Sequence, residues 1–317
     1  MQVFNDYVMP ATLETLDQML AAFNAASNGA IVLSPEGFTG DFLQESFFQN
    51  LASAQRRVNR YAAQAAVTPV DLTELQNTTV KVAGGFGPVR YEPSQMTWLQ
   101  RPTAQGIEVA SRAFAEILLK DQLNTAIAAL VAAITAQAAA VNDVSATAGI
   151  SQAGLNSSHA KFGDASQNLV AQVMTGSSWH KLVGQNLANV NNLFLAGNVR
   201  VVDILGKTSV VTDAPALSQT GTPNKEIILS LASGAALVHD SRDIISNVET
   251  SNGQTRIETT IQVDYTFGLG LKGYTWDTAN GGKSPTSAAL ATGTNWDKTA
   301  ASIKDTAGVA LIGDASK

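Results

Sequence analysis

The stretch "VDYTFGLGLKGYTWD", Val263–Asp277, carries glycines at 268, 270 and 273, the G-x-G-x-x-G spacing of a dinucleotide-binding fingerprint. That motif works only where a strand ends in a tight turn and a helix opens onto the phosphates. Upstream, Ile257, Ile261, Val263, Tyr265 and Phe267 alternate with Glu258, Thr260, Gln262, Asp264 and Thr266, and the alternation continues through the glycines to Leu269 and Leu271. Period two over this length predicts a half-buried antiparallel strand. Downstream, Tyr274, Thr275, Trp276 and Asn280-Gly281-Gly282 offer no amphipathic helix. The glycines therefore read as strand residues, and Asn252-Gly253 predicts a hairpin that pairs Asp243–Thr250 with Thr255–Gly273.

Composition narrows the function. Lys, Arg, Asp and Glu make up 15% of 317 residues, against about 25% in ordinary soluble domains, so roughly thirty charged residues are missing. Burial of much of the surface against other subunits accounts for such a deficit, as does a neutral polar surface on a monomer. A net charge of −6 argues against an extended nucleic-acid footprint. The chain has no cysteine, which excludes disulfides, thiolate zinc sites and a cysteine nucleophile and fits a reducing compartment. The start "MQVFNDYVMP" does not read as a secretory signal, so a cytoplasmic site of synthesis and residence is expected.

Along the chain, Leu13, Leu16, Leu20 and Phe23 predict a helix over Thr12–Ala26, stopped by Asn28-Gly29, and a short strand over Ala30–Leu33. Phe47, Phe48, Leu51, Ala54, Val58 and Tyr61 predict a second helix over Glu45–Ala63. Arg56, Arg57 and Arg60 on its other side form the one basic cluster, either a solvated face or a surface for an acidic partner. Val67–Gln100 lacks a core pattern and reads as an arm reaching to a neighbour. A domain-spanning helix is predicted over Thr103–Ala140. Overlapping its second half, Gln122–Asn142 is uncharged over a membrane-spanning length, but its alanines with Gln122, Asn124, Thr125, Thr135 and Gln137 favour a protein core over a bilayer. Asn142–Phe162 reads as a connection, Asp164 with Gln167 as a capping box ahead of Leu169–Met174, and Trp179, Leu182, Val183, Leu187, Val190 and Phe194 as a further helix. Strands are expected at Val199–Leu205, Ser209–Thr212 and Lys225–Leu231, and the remainder from Thr275 as a Thr/Ala/Gly/Ser-rich tail.

Each catalytic pattern fails its own requirements. Gly206-Lys207-Thr208 ends like a P-loop, but the earlier glycine is replaced by Val201. Ser158-x-x-Lys161 and Ser178-x-x-Lys181 have a serine-acylating spacing without the companion motifs. His159, His180 and His239 are scattered, and His239 with Asp240 and Asp243 fits a loop or strand edge better than a metal site. Asn77 and Asn156 head glycosylation sequons that mean nothing without secretion. The sequence nominates no catalytic, cofactor-binding or metal residue and no cofactor, and the chain is not read as an enzyme.

The order of these parts resembles the Hong Kong 97-type major capsid protein of tailed double-stranded DNA bacteriophages. The resemblance rests on the long helix, the preceding arm, "RVVDILGKTSVVTDAPAL" and the late strand "TRIETTIQVDYTFGLGLKGYTWD". It implies an α+β subunit with an N-terminal arm, extended loop, long spine helix, peripheral antiparallel sheet and axial domain. On that basis residues 1–44 are the arm, 45–100 the extended loop region and 101–156 the peripheral domain with its spine helix. Residues 157–233 are the axial domain, and 234–317 the return to the peripheral sheet with the C-terminal tail. The implied function is self-assembly through pentamers and hexamers into an icosahedral shell. The shell would enclose DNA without sequence-specific binding, in a virion assembled in the host cytoplasm, with scaffolding, portal and decoration proteins as partners and no membrane. Rival readings are a nanocompartment shell, another virion or tail protein and, last, a nucleotide-binding enzyme. Deletion of Thr68–Pro93 is expected to leave a folded monomer that forms no particles.

Overall fold

The computed structural model describes residues 8–34, 41–48, 56–64, 66–69, 74–91, 104–188, 207–241, 243–253 and 255–317. Helix α1 (Met9–Ala26) has Pro10 in its first turn, where a missing N–H costs nothing. Its Leu16 and Leu20 are buried, and β1 (Ile31–Ser34) follows with Ile31 and Leu33 buried. All four belong to the main hydrophobic core.

Strands β2 (Phe42–Phe48) and β3 (Glu74–Tyr91) pair antiparallel from Phe42↔Val80 to Phe48↔Glu74. One expectation is corrected here. The helix over Glu45–Ala63 is absent from its described residues: Glu45–Phe48 belong to β2, and Arg56–Ala63 form no helix. An isolated helix of that length is marginal in water unless one face packs, and residues 56–63 have no core to meet. The stretch between Val67 and Gln100, read as an arm without a core pattern, contains an 18-residue strand. Its buried Val80 and Val82 gave only a brief alternation, because glycines at 84, 85 and 87 interrupt the apolar pattern.

Helix α2 (Ala104–Thr135) has 32 residues, about 48 Å at 1.5 Å per residue. Ser111–Thr135 is long and apolar enough to cross a membrane by length and composition. Its Ile127, Leu130 and Ile134 are nevertheless fully buried, in one hydrophobic cluster with Leu16 and Leu20 of α1 and residues of both sheets. It is a core helix, as its alanines and polar residues predict.

The remaining elements are β4 (Val141–Asp143), α3 (Gln152–Ala160), β5 (Leu169–Met174), α4 (Gly176–Ala188), β6 (Thr208–Val211), β7 (Ser218–Gln219) and β8 (Lys225–Ala232). Then come β9 (Ala236–Asp240), β10 (Ile245–Asn252), β11 (Ile257–Leu271), β12 (Tyr274–Trp276), β13 (Trp296–Lys298) and β14 (Gly308–Asp314). One sheet runs β1-β9-β11-β12-β13, with β10 and β3 also on β11 and β2 on β3. The other runs β4-β14-β8-β5-β6, with β7 on β8.

The second sheet is covered on both faces. Ile227, Leu229 and Leu231 of β8 join the main core with α2. Ile228 faces a second cluster with Leu155 of α3, Leu182 of α4, Met174 and Leu311. Strands buried on both faces lose the period-two signal. That explains two departures from the sequence reading, Leu169–Met174 being a strand rather than a capped helix and the tail from Thr275 ending in the fully buried β14; separately, the connection after Asn142 holds β4 and α3. The helix carrying Trp179 and Leu182 is α4. Val190, Phe194 and the strand expected at Val199–Leu205 lie outside the described residues.

His159 of α3 is buried, with Nε2 2.9 Å from Ser230 Oγ on β8. Burial, reinforced by the Lys207 cation, holds its pKa below the ordinary value of 6.5. The folded state thus keeps the ring neutral while the unfolded chain takes up a proton first. Stability is expected to be fully present above about pH 6.5 and to fall as pH drops below it. Urea midpoints of wild type and His159→Gln between pH 5 and 8 check this: the wild-type slope should exceed the variant's.

Candidate assembly surface

Strand β11 is the axis of the first sheet. Along one edge it pairs with β3, from Thr259↔Tyr91 to Leu269↔Val80, with a register shift between Ile261 and Val263. Along the other, β10 and β9 lie end to end, covering Ile257–Asp264 and Phe267–Leu271. Residues 74–79 of β3 overshoot the ladder with β11, and β2 pairs there. The β2–β3 ribbon is anchored at this point by Thr78 N–H, which donates to Thr275 Oγ1 at 2.8 Å. Its connection therefore starts at one extreme of the sheet.

Within that connection the described residues, 56–64 and 66–69, are all exposed. Tyr61 is 91% exposed, Val58 67% and Val67 54%. Their interactions are local: the Arg60 guanidinium sits 5.8 Å from the Tyr61 ring centroid, and Asn59 Oδ1 accepts from Tyr61 N–H. Arg56, Arg57 and Arg60 form no ion pair with another described residue.

Towards the opposite end, the outward face of β10 and β11 sets Ile245 opposite Asp264 and Glu249 opposite Thr260. Ile245 is 70% exposed. Lys81 pairs with Asp243 at 3.4 Å and Arg90 with Glu258 at 3.2 Å, so these four charges cancel.

The catalytic patterns dissolve on inspection of their atoms. Gly268 and Gly270 lie inside β11. A Cβ on Gly270 would come within 2.7 Å of Thr79 Oγ1, and Gly273, with φ +76°, makes the turn into β12. Close strand packing and a turn account for the fingerprint spacing. Ser178 Oγ and Lys181 Nζ both donate to Glu226 Oε2, at 3.0 and 3.1 Å, and Lys181 also donates to the Ala315 carbonyl at 2.7 Å. The lysine is an ion-pair partner that pins α4 and the C-terminal segment to β8, not a free base. Ser158 Oγ donates to the Leu155 carbonyl, and Lys207 Nζ to the carbonyls of Ser166 and Gln167. No group of three or more His, Cys, Asp or Glu side chains among the described residues is placed to hold a metal. Sequence reasoning found the arginine cluster but missed the Ile245–Asp264 patch, which appears only once the cross-strand register is known.

The sequence model of one protein family, described as major capsid protein 13-like (Gp13-like), matches residues 1–310. No curated protein sequence matches the chain. Among solved structures, the fold resembles the capsid asymmetric unit of cyanophage Pam1, with TM-score 0.56 and 13% identity over 90% of this chain and 88% of that one. It also resembles the acid-stable capsid of Helicobacter pylori bacteriophage KHP30, with TM-score 0.51 and 10% identity over 91% and 89%. The α+β architecture is thus that of phage capsid subunits, in line with the Hong Kong 97-type resemblance. The chain belongs to the Gp13-like family of major capsid proteins, and it is a self-assembling structural subunit of a phage capsid shell, a virion component rather than an enzyme.

Proposed function

We propose that this shell is icosahedral, that pentamers and hexamers of the chain build it, and that it encloses double-stranded DNA. In this reading the β2–β3 ribbon and its connection are the extended loop, laid over a neighbouring subunit. Helix α2 is the spine, the sheet of β11 belongs to the peripheral domain and the sheet of β8 to the axial domain. Scaffolding, portal and decoration proteins are separate partners that act during assembly in the host cytoplasm. A net charge of −6 suits a container that holds DNA without sequence-specific contact.

The observation that supports this best is the exposure of residues 56–64 and 66–69. A stretch whose described residues are all exposed, yet which holds Tyr61 and three arginines, has residue types enriched at interface hot spots. The segment to remove is therefore residues 56–69, bridged by a short Gly/Ser link. Deletion of Thr68–Pro93 would instead strip β3, with its buried Val80 and Val82, from the central strand. Light scattering with negative-stain imaging of the full chain should give closed particles or uniform pentamers and hexamers. The 56–69 deletion should give a folded subunit without closed particles. Normal shells from the deletion would remove the extended-loop assignment.

A further inference from the structure

Resting on the extended-loop reading, we infer that Arg56, Arg57, Val58, Arg60 and Tyr61 dock onto the outward β10–β11 face of a second copy, around Ile245, Glu249 and Asp264. The two surfaces match in charge. The chain carries −6, so with the three arginines (+3) set apart the remainder carries −9, and the tip of one copy is attracted to the body of another. On the receiving face Lys81–Asp243 and Arg90–Glu258 neutralise one another, and Arg256 in the turn beyond is already engaged. Among the described residues Glu249 and Asp264 form no ion pair, and Asp264 accepts from Gln262 Nε2 at 3.2 Å.

The surfaces also match in shape of exposure. Tyr61 and Val58 are open apolar groups interleaved in sequence with the arginines, Arg60 lying 5.8 Å from the Tyr61 ring centroid, and Ile245 is an open apolar group directly opposite a carboxylate. Such a centre, an apolar contact ringed by charge, is the usual anatomy of an interface hot spot.

Geometry assigns the contact to two copies rather than one. Asp264 pairs with Gly85, eleven residues along β3 from Glu74, where the tip connection joins. At about 3.3 Å per residue that is about 36 Å of continuous strand. Within one subunit no ion pair among the described residues joins the three arginines to Glu249 or Asp264, so the contact is assigned to a second copy, head-to-tail. Heterologous contacts of this kind close into rings when the rotation permits.

The test compares four full-length chains: wild type, Arg56→Glu/Arg57→Glu/Arg60→Glu, Glu249→Arg/Asp264→Arg, and both sets combined. All substituted side chains are exposed, and circular dichroism confirms that each subunit folds. Each set alone should abolish closed particles in light scattering and negative stain, and the combination should restore them. Wild-type assembly should weaken as salt is raised from 0.15 M towards 1 M, where screening falls from about 8 Å to about 3 Å. Normal shells from the Glu249/Asp264 set would overturn the acceptor assignment. If the 56–69 deletion still blocks shells in that case, the extended-loop reading stands without it. Failure of the combination to rescue would overturn the pairing. Intact shells from the arginine set that have lost only nucleic acid would give the cluster to DNA and overturn the docking.

Discussion

Replacing Phe267 with alanine is expected to lower the unfolding free energy of the subunit by about 3–5 kcal/mol, the usual cost of emptying a buried phenylalanine site. Phe267 is fully buried at the point on β11 where β3 and β9 both pair, opposite Val82 and Asp240. Its ring stacks with Tyr265 at a centroid distance of 6.5 Å. Tyr265 in turn donates through its hydroxyl to Asp121 Oδ2 of α2 at 2.6 Å, so the cavity would open beneath a contact that ties sheet to helix. Neighbours held by ladders on both sides cannot collapse into the space. Urea unfolding followed by fluorescence suits the measurement, because Trp276 and Trp296 are both buried in the same core. A loss below about 1.5 kcal/mol would mean that the core repacks freely around β11.

Gly308→Ala should cost about 3 kcal/mol by a different route. Gly308 opens β14 opposite Leu231, with φ +154°, and a Cβ there would lie 2.1 Å from the Ser230 carbonyl oxygen. Backbone strain of about 1–3 kcal/mol and overpacking of about 1–3 kcal/mol both apply. The obstructing atom is backbone in β8, the central strand of its sheet, and it cannot turn aside as a side-chain end could. Thermal unfolding of the variant reads the loss. An unchanged midpoint would show that β14 slides against β8 at little cost.

What the sequence disclosed, and what it withheld, follows from how each element is buried. α1 and β11 each have one buried face, so Leu16 and Leu20 at helical spacing and Ile261 to Phe267 at period two could be read directly. α2 was legible from its length and its leucines. "KEIILSL" was recognised by its β-branched run, but "LVAQVM" and "GVALIGD" are buried on both faces and carry neither period. β2 was lost because Phe47 and Phe48 also fit a helical spacing, and only pairing with β3 decides between them.

The hairpin of β10 and β11 was found, but its register was not. Asn252 pairs with Ile257, and Gly253 N–H donates to the Arg256 carbonyl, so the turn centres past the Asn-Gly pair. An Asn-Gly signal marks where a chain reverses without fixing which residues face each other across it. The juxtaposition of Ile245 with Asp264 depends on that register, which is why the arginine cluster was visible in the sequence and its proposed acceptor was not.

Residues 56–64 and 66–69 are all exposed and belong to none of the core that Phe267 and Gly308 hold together. Substitutions in this segment leave the folding equilibrium of the lone subunit almost unaltered, so a screen that ranks variants by melting temperature is blind to them. The chain can therefore change which neighbours it accepts without becoming harder to fold.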